Sequence, residues 1–179
     1  KPVFCTQVGD FNDSDDRFDL MSLYGSFVNT CDTFANINWA GGYGNHEYMG
    51  NPDADNIKFY NGHPILETSN KYDVKAVGTG SYYIEIGNLL FINLDWEHHG
   101  SGYAFATVMQ EQAKFLEEIL SKTTKTWKVV NMHYPIYPSQ FTNGAQTTYP
   151  PIFDKYGVQV FLCGHGHSYQ RTQVKGGVY

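Results

Sequence analysis

Two of the seven histidines in this 179-residue chain share one short stretch, Gly164-His165-Gly166-His167. Val158, Val160, Phe161 and Leu162 precede it as a β-rich apolar run, which is the pattern of a buried strand, and Gly164 ends that run. In an extended or turn backbone, residues i and i+2 aim at neighbouring points, and the small glycine between them lets other groups approach closely. Two imidazoles held this way suit one metal ion or two adjacent ones. The plain alternative is a surface loop that carries two histidines. Other residues with metal-binding chemistry stand in the same relation to predicted strands. Asp10 follows residues 3–8 and Gly9. Asn45, with His46 and Glu47, follows the weaker strand 34–40 and the turn 41–44. His133 comes directly after residues 127–132. Any one of these alone is an ordinary capping aspartate, turn asparagine or surface histidine. Asp10, Asn45, His133, His165 and His167 at four strand ends are hard to explain as accidents. The donors are oxygen and nitrogen with no thiolate, a set that favours Zn, Mn, Fe or Mg. A carboxylate such as Asp10 can bridge two cations. Two metals about 4 Å apart can bind phosphate, make hydroxide from water and stabilise in-line displacement.

The elements that must position these residues follow from periodicity. Residues 3–8 read as a strand, and 12–16 as a polar, acidic loop. Phe18, Met21, Tyr24, Phe27 and Val28 recur at helical spacing, which predicts an amphipathic helix over 17–29 capped by Ser14 or Asp15. Residues 50–80 are rich in Gly, Asn, Asp and Pro with little period, and read as a long irregular excursion of the kind that lines active sites. Residues 81–86, the pair Gly87-Asn88 and residues 89–94 read as a β-hairpin, ended by the polar cluster 95–99. Phe105, Val108, Met109, Phe115, Leu116, Ile119 and Leu120 mark a second amphipathic helix ending near Ser121. Pro135 and Pro138 forbid regular structure after strand 127–132. Residues 139–150 read as a Gly/Thr/Gln loop, and 151–156 as a short helix before the last strand. Strands joined by long, often helical connections predict an α/β fold: a layered sheet, mixed and largely parallel, flanked by helices. Ligands of such sheets sit beyond the carboxyl ends of the strands, so the five candidate residues are expected along one edge of one sheet.

Composition narrows the function classes. The chain is 41% hydrophobic and 17% charged, with Tyr 14 and Phe 12, as expected of a soluble globular domain with a sizeable core. No run approaches the ~20 apolar residues of a membrane span. A net charge of −6 argues against nucleic acid as a partner. It leaves a phosphorylated substrate open, because bound metals can supply positive charge locally. Cys5, Cys31 and Cys163 lack metal-finger spacing. Cys163 reads as a small buried hydrophobe of the last strand, and a Cys5–Cys31 bridge stays open. Lys1-Pro2-Val3-Phe4 is neither a signal peptide nor an initiator methionine, so the chain reads as an excerpt of a longer one.

Gly9-Asp10, Gly44-Asn45-His46-Glu47, Met132-His133-Tyr134-Pro135 and Gly164-His165-Gly166-His167 stand in the order seen in calcineurin-like metallophosphoesterases. Within that superfamily the chain most resembles the purple acid phosphatases, to which stretches 45–48, 112–120, 156–158 and 167–171 are also similar. The resemblance covers most of the chain. It implies a metallophosphoesterase-type sandwich, with residues 1–179 forming a partial catalytic domain. It also implies hydrolysis of phosphomonoesters by a metal-bound hydroxide at a dinuclear site, using two divalent or trivalent ions such as Fe, Zn or Mn. By motif, Asp10 would bridge the two metals. Asn45, His133 and His165 would hold the second metal, and His167 the first. His46 would contact phosphate and act as acid for the leaving alcohol. The partner would be a small phosphorylated substrate, in a secreted, extracellular or vesicular setting, with an oligomer or larger assembly left open. Two features depart from the family. Its aspartate from an earlier strand has no counterpart here. Its ferric-binding tyrosine, three residues after the Gly-Asp aspartate, is replaced by Asp13. Either Asp13 substitutes or loop residues are missing. The alternative reading is therefore a phosphatase-like domain with an incomplete first metal site, serving a structural or binding role. Phosphodiester or nucleotide hydrolysis is a second alternative. Around the site, His98 and His99 fit a solvated loop better than the pocket, and His63 reads as surface. Asp95 reads as a cap or a partner orienting a histidine. Arg171 reads as half of a surface pair.

Overall fold

The strand Leu89–Leu94 is buried along nearly its whole length, because both of its faces are covered. In the computed structural model, which describes residues 4–10, 38–48, 75–76, 81–95, 105–137 and 144–171, the elements run in this order: β1 (Phe4–Gln7), β2 (Asn38–Gly41), α1 (Asn45–Tyr48), β3 (Lys75–Ala76), β4 (Tyr82–Ile86), β5 (Leu89–Leu94), α2 (Phe105–Lys122), β6 (Trp127–Met132), α3 (Ala145–Thr148), α4 (Pro150–Tyr156) and β7 (Val160–Leu162). Strands β3 to β7 form one sheet in chain order, while β1 and β2 form a separate parallel pair. In the larger sheet β3–β4 and β4–β5 are antiparallel, whereas β5–β6 and β6–β7 are parallel. The fold is α/β with mixed sheets, as the sequence pattern predicts.

The period of two along the strands sorts their side chains into two layers. Leu90, Ile92 and Leu94 of β5, with Val130 and Met132 of β6, join Phe115, Leu116 and Leu120 of α2 and Ile152 and Phe153 of α4 in the main core. The alternate residue Phe91 turns to the other face, where it packs with Tyr82, Ile84 and Ala40. That second layer ties the two sheets together, since the buried Tyr82 hydroxyl donates to the Gly41 carbonyl at 2.6 Å. Asn93 and Asn131 are opposite each other in register on this same face. Both are fully buried, and the Asn131 amide donates to Asn93 Oδ1 at 2.6 Å.

The apolar stripe of α2 recurs at spacings of three and four, with Val108, Phe115, Leu116 and Leu120 buried. Gln112 belongs to the same stripe and is also fully buried. Its amide donates to Ser81 Oγ at 3.1 Å and to the Asp95 carbonyl at 2.8 Å, and accepts from the Tyr149 hydroxyl at 2.7 Å. Asp95 thus closes β5, with its N–H donating to Ser81 Oγ. The hairpin loop works as its sequence indicates, with Gly87 at φ 53 in the first loop position. No helix among the described residues is long and apolar enough to cross a membrane.

Several expectations are corrected. The excursion 50–80 is not wholly irregular, because Lys75–Ala76 pairs with β4 as an edge strand. The stretch 139–150 is not all loop. It contains α3, which starts at Gly144 (φ 81) and leads into the buried Tyr149. A helix of four residues is too short to show a period. Cys163 lies beyond β7 and is exposed rather than buried. The helix expected over 17–29, Asp13, Cys31, His63, His98 and His99 lie outside the described residues.

Candidate metal centre

The candidate residues converge, but from two sheets rather than along one edge. Asp10 comes from the turn after β1, and Asn45 is the first residue of α1 after β2. His133 directly follows β6, and His165 lies just beyond β7. The larger sheet therefore supplies the histidines, and the facing pair β1–β2 supplies the oxygen donors. The layers meet closely because glycines line the seam. Gly9 has φ 95, and a Cβ there would lie 2.6 Å from both the Gly44 nitrogen and His133 Nδ1. A Cβ on Gly44 would fall 2.5 Å from the Asp10 nitrogen and 2.8 Å from its carboxyl carbon.

Around His133, 1% exposed, the donor atoms form a tight group. His133 Nε2 lies 3.1 Å from Asn45 Oδ1, 3.1 Å from Asp10 Oδ2 and 3.2 Å from His165 Nδ1. His165 Nδ1 lies 2.9 Å from Asn45 Oδ1. The other His133 nitrogen, Nδ1, sits 2.8 Å from the Val8 carbonyl oxygen. That oxygen can only accept, so Nδ1 carries a proton, and in the neutral ring the Nε2 lone pair turns inward. An amide oxygen, a carboxylate oxygen and imidazole lone pairs then face one another, which is unfavourable unless something positive sits between them. A cation with bonds of about 2.1 Å to nitrogen and oxygen spans octahedral ligand–ligand edges of about 3.0 Å, close to these separations. Among the described residues, Asp10, His133 and His165 form a group whose ligand atoms all lie within 4.8 Å of one another. By donor chemistry and spacing, the site fits a metal ion.

Charge and strain agree with this picture. Burial acts to raise the Asp10 carboxyl, but the His46 backbone N–H, together with the hydrogen bond and charge that His133 and the charge that His46 offer when their rings are protonated, outweighs it and holds the group below its ordinary value. Asp10 Oδ1 accepts the His46 backbone N–H at 2.9 Å. Burial, reinforced by neighbouring His133, lowers His165, which favours the neutral ring that can ligate. Among the described residues, the non-glycine positions with positive φ are Asp10 (φ 51), His165 (φ 64) and His167 (φ 45). A left-handed conformation costs a residue with a side chain about 1–3 kcal/mol and tends to cluster at functional sites.

Not every expected residue joins the group. His167 is exposed and lies outside the converging set. His46 sits one residue after Asn45 in α1, with Nε2 4.0 Å from Asp10 Oδ2, beside the cluster rather than within it. Arg171 is exposed and lines a cleft with Pro135, Tyr137, Phe161 and Cys163. Two contributors escaped the sequence reading. One is the Val8 carbonyl, which sets the His133 tautomer. The other is Tyr134, whose ring packs on His165 at 4.0 Å between centroids and 34° between planes. An aromatic residue directly after a strand-end histidine was the available signal for Tyr134. A backbone carbonyl leaves no signal.

The comparisons agree with the fold. The model of the calcineurin-like phosphoesterase family matches residues 2–169, and the chain belongs to that family. Among curated relatives, it is 27% identical over 175 residues to the "Fe(3+)-Zn(2+) purple acid phosphatase 12" of Arabidopsis thaliana, covering 90% of this chain and 34% of that protein. It is 26% identical over 148 residues to "Purple acid phosphatase 1" of Ipomoea batatas, covering 75% of this chain and 29% of the relative. It is 37% identical over 70 residues to the "Purple acid phosphatase" of Glycine max, covering 35% of this chain and 15% of the relative. The chain spans about a third of the length of the first of these and less of the others.

Proposed function

We propose that this chain is the catalytic domain, in part or whole, of a metal-dependent phosphatase that hydrolyses small phosphomonoesters at a dinuclear site. The observation that carries this reading is the convergence of Asp10 Oδ2, Asn45 Oδ1 and His165 Nδ1 around His133 Nε2 at 3.1, 3.1 and 3.2 Å. Asn45, His133 and His165 would hold one metal. Asp10 would share its carboxylate with a second, for which His167 is the further donor. A pair such as Fe, Zn or Mn supplies Lewis acidity and an activated water for attack on phosphorus.

The chain's own residues have distinct tasks. The Val8 carbonyl keeps the His133 lone pair aimed inward. The lowered Asp10 carboxyl favours its ionised form, which would supply negative charge to bound cations. His46, held beside Asp10 by its backbone N–H, would contact a phosphoryl oxygen and give a proton to the departing alcohol oxygen. The resemblance to purple acid phosphatases supports a secreted or vesicular setting, which fractionation of the native source would check.

Metal analysis with turnover tests the reading. The expectation is two metal equivalents per chain and faster hydrolysis of an aryl phosphate monoester than of the matching diester. His46→Asn should lower turnover while metal content stays the same. One metal or none, with no turnover, would overturn the enzyme reading in favour of a phosphatase-like binding or structural module. Faster diester hydrolysis would move the substrate class.

A further inference from the structure

Asp10 and Asn45 reach the site from separate turns, 35 positions apart, and something must hold those turns in register. The two ends of one side chain do so. Gln7 closes β1, and its Oε1 accepts the Gly9 N–H at 2.5 Å while its Nε2 donates to the Gly42 carbonyl at 2.8 Å. Gly9 is the residue before Asp10, and Gly42 lies three before Asn45. The Gln7 backbone adds to the same junction. Its carbonyl accepts the Gly42 N–H at 3.0 Å and lies 3.4 Å from the amide nitrogen of the buried Asn131. A Cβ on Gly42 would lie 2.8 Å from both Asn131 Nδ2 and Asn93 Oδ1, so this turn is seated directly on the Asn93–Asn131 pair of the larger sheet.

We infer that Gln7 is a positioning residue of the metal centre: its amide clamps the turn carrying Asp10 to the turn carrying Asn45, and so sets the spacing of the two oxygen donors. The inference rests on the metal-site reading above. An amide suits the task because its neighbours are one donor and one acceptor. Gly9 needs an oxygen to accept from it, and Gly42 needs an N–H to donate to it. A carboxylate can serve only the first. A thioether of similar length serves neither.

The test compares wild type, Gln7→Met and Gln7→Glu by cobalt(II) titration followed in the visible spectrum, with thermal melts of the metal-free proteins alongside. Gln7→Met should remain folded at the titration temperature, bind cobalt about 10–100-fold more weakly, as loss of a group supporting a metal ligand typically does, and show an altered ligand-field spectrum. Gln7→Glu, which keeps the acceptor for Gly9, should fall between Met and wild type. If Gln7→Met does not fold, Gln7→Glu alone decides, and weaker cobalt binding in a folded protein is the supporting result. A lowered melting temperature with wild-type affinity and spectrum would mean that Gln7 only stabilises β1, and would overturn the inference. If the wild type itself binds no cobalt, the metal-site reading fails first, and the inference with it.

Discussion

Gly9→Ala should damage both stability and metal binding, and its comparison with Gly87→Ala separates the two causes. Both glycines have positive φ, 95 and 53, so each substitution carries a conformational cost of about 1–2 kcal/mol. Their surroundings differ. At Gly87 an added Cβ meets nothing within 4 Å. At Gly9 it would lie 2.6 Å from the Gly44 nitrogen and from His133 Nδ1, and neither can yield cheaply. One is backbone, and the other belongs to a ring tied to the Val8 carbonyl at 2.8 Å. Ordinary contact begins near 3.4 Å, so the neighbours must move by several tenths of an ångström. Overpacking of that kind adds about 1–3 kcal/mol. Urea melts of the metal-free proteins should therefore show Gly9→Ala less stable than Gly87→Ala by about that amount. Because the displaced atoms belong to the site, metal titration should show a drop for Gly9→Ala and none for Gly87→Ala. Equal stability losses with unchanged metal affinity in both variants would refute the close seam between β1 and β6.

Other consequences follow from single contacts. Tyr134→Ala removes the ring stacked on His165 and should weaken metal binding, while Tyr134→Phe should keep it; isothermal titration distinguishes these. Gln112→Leu removes the acceptor of the buried Tyr149 hydroxyl and the amide that donates to Ser81 and the Asp95 carbonyl, and should cost about 1–3 kcal/mol in a denaturant melt with no direct effect on the donor group. Acidity should act through His165. Its value in the folded chain lies below 6.5, so its contribution to stability is complete above about pH 6.5 and is lost as pH falls below that, through the folded value. Melts of metal-free protein should show that decline, and His165→Asn should flatten it.

Local elements are legible in the sequence. The strand 127–132 is the strand observed as β6, and the second amphipathic helix runs to Lys122, one residue past the expected Ser121. Both are long enough to display their period. The hairpin loop was legible because Gly87 and Asn88 separate two apolar runs. The strand-end positions of Asp10, His133 and His165 were legible for the same reason. The α3 helix and the Lys75–Ala76 strand were not, since four and two residues carry no period.

The sequence alone established the chemistry: oxygen and nitrogen donors following apolar runs, in an order that resembles one family. Tertiary structure decided where those donors meet. Strands β1 and β2 have four residues each, too few to show which layer they join, and their placement against the larger sheet rests on contacts such as Tyr82 with Gly41. The proton on His133 Nδ1, the ring of Tyr134 over His165 and the two-ended grip of Gln7 all depend on groups brought close from distant parts of the chain. Periodicity reports which face of an element is apolar, but not which remote carbonyl will stand opposite an imidazole, because that is settled only when the layers pack.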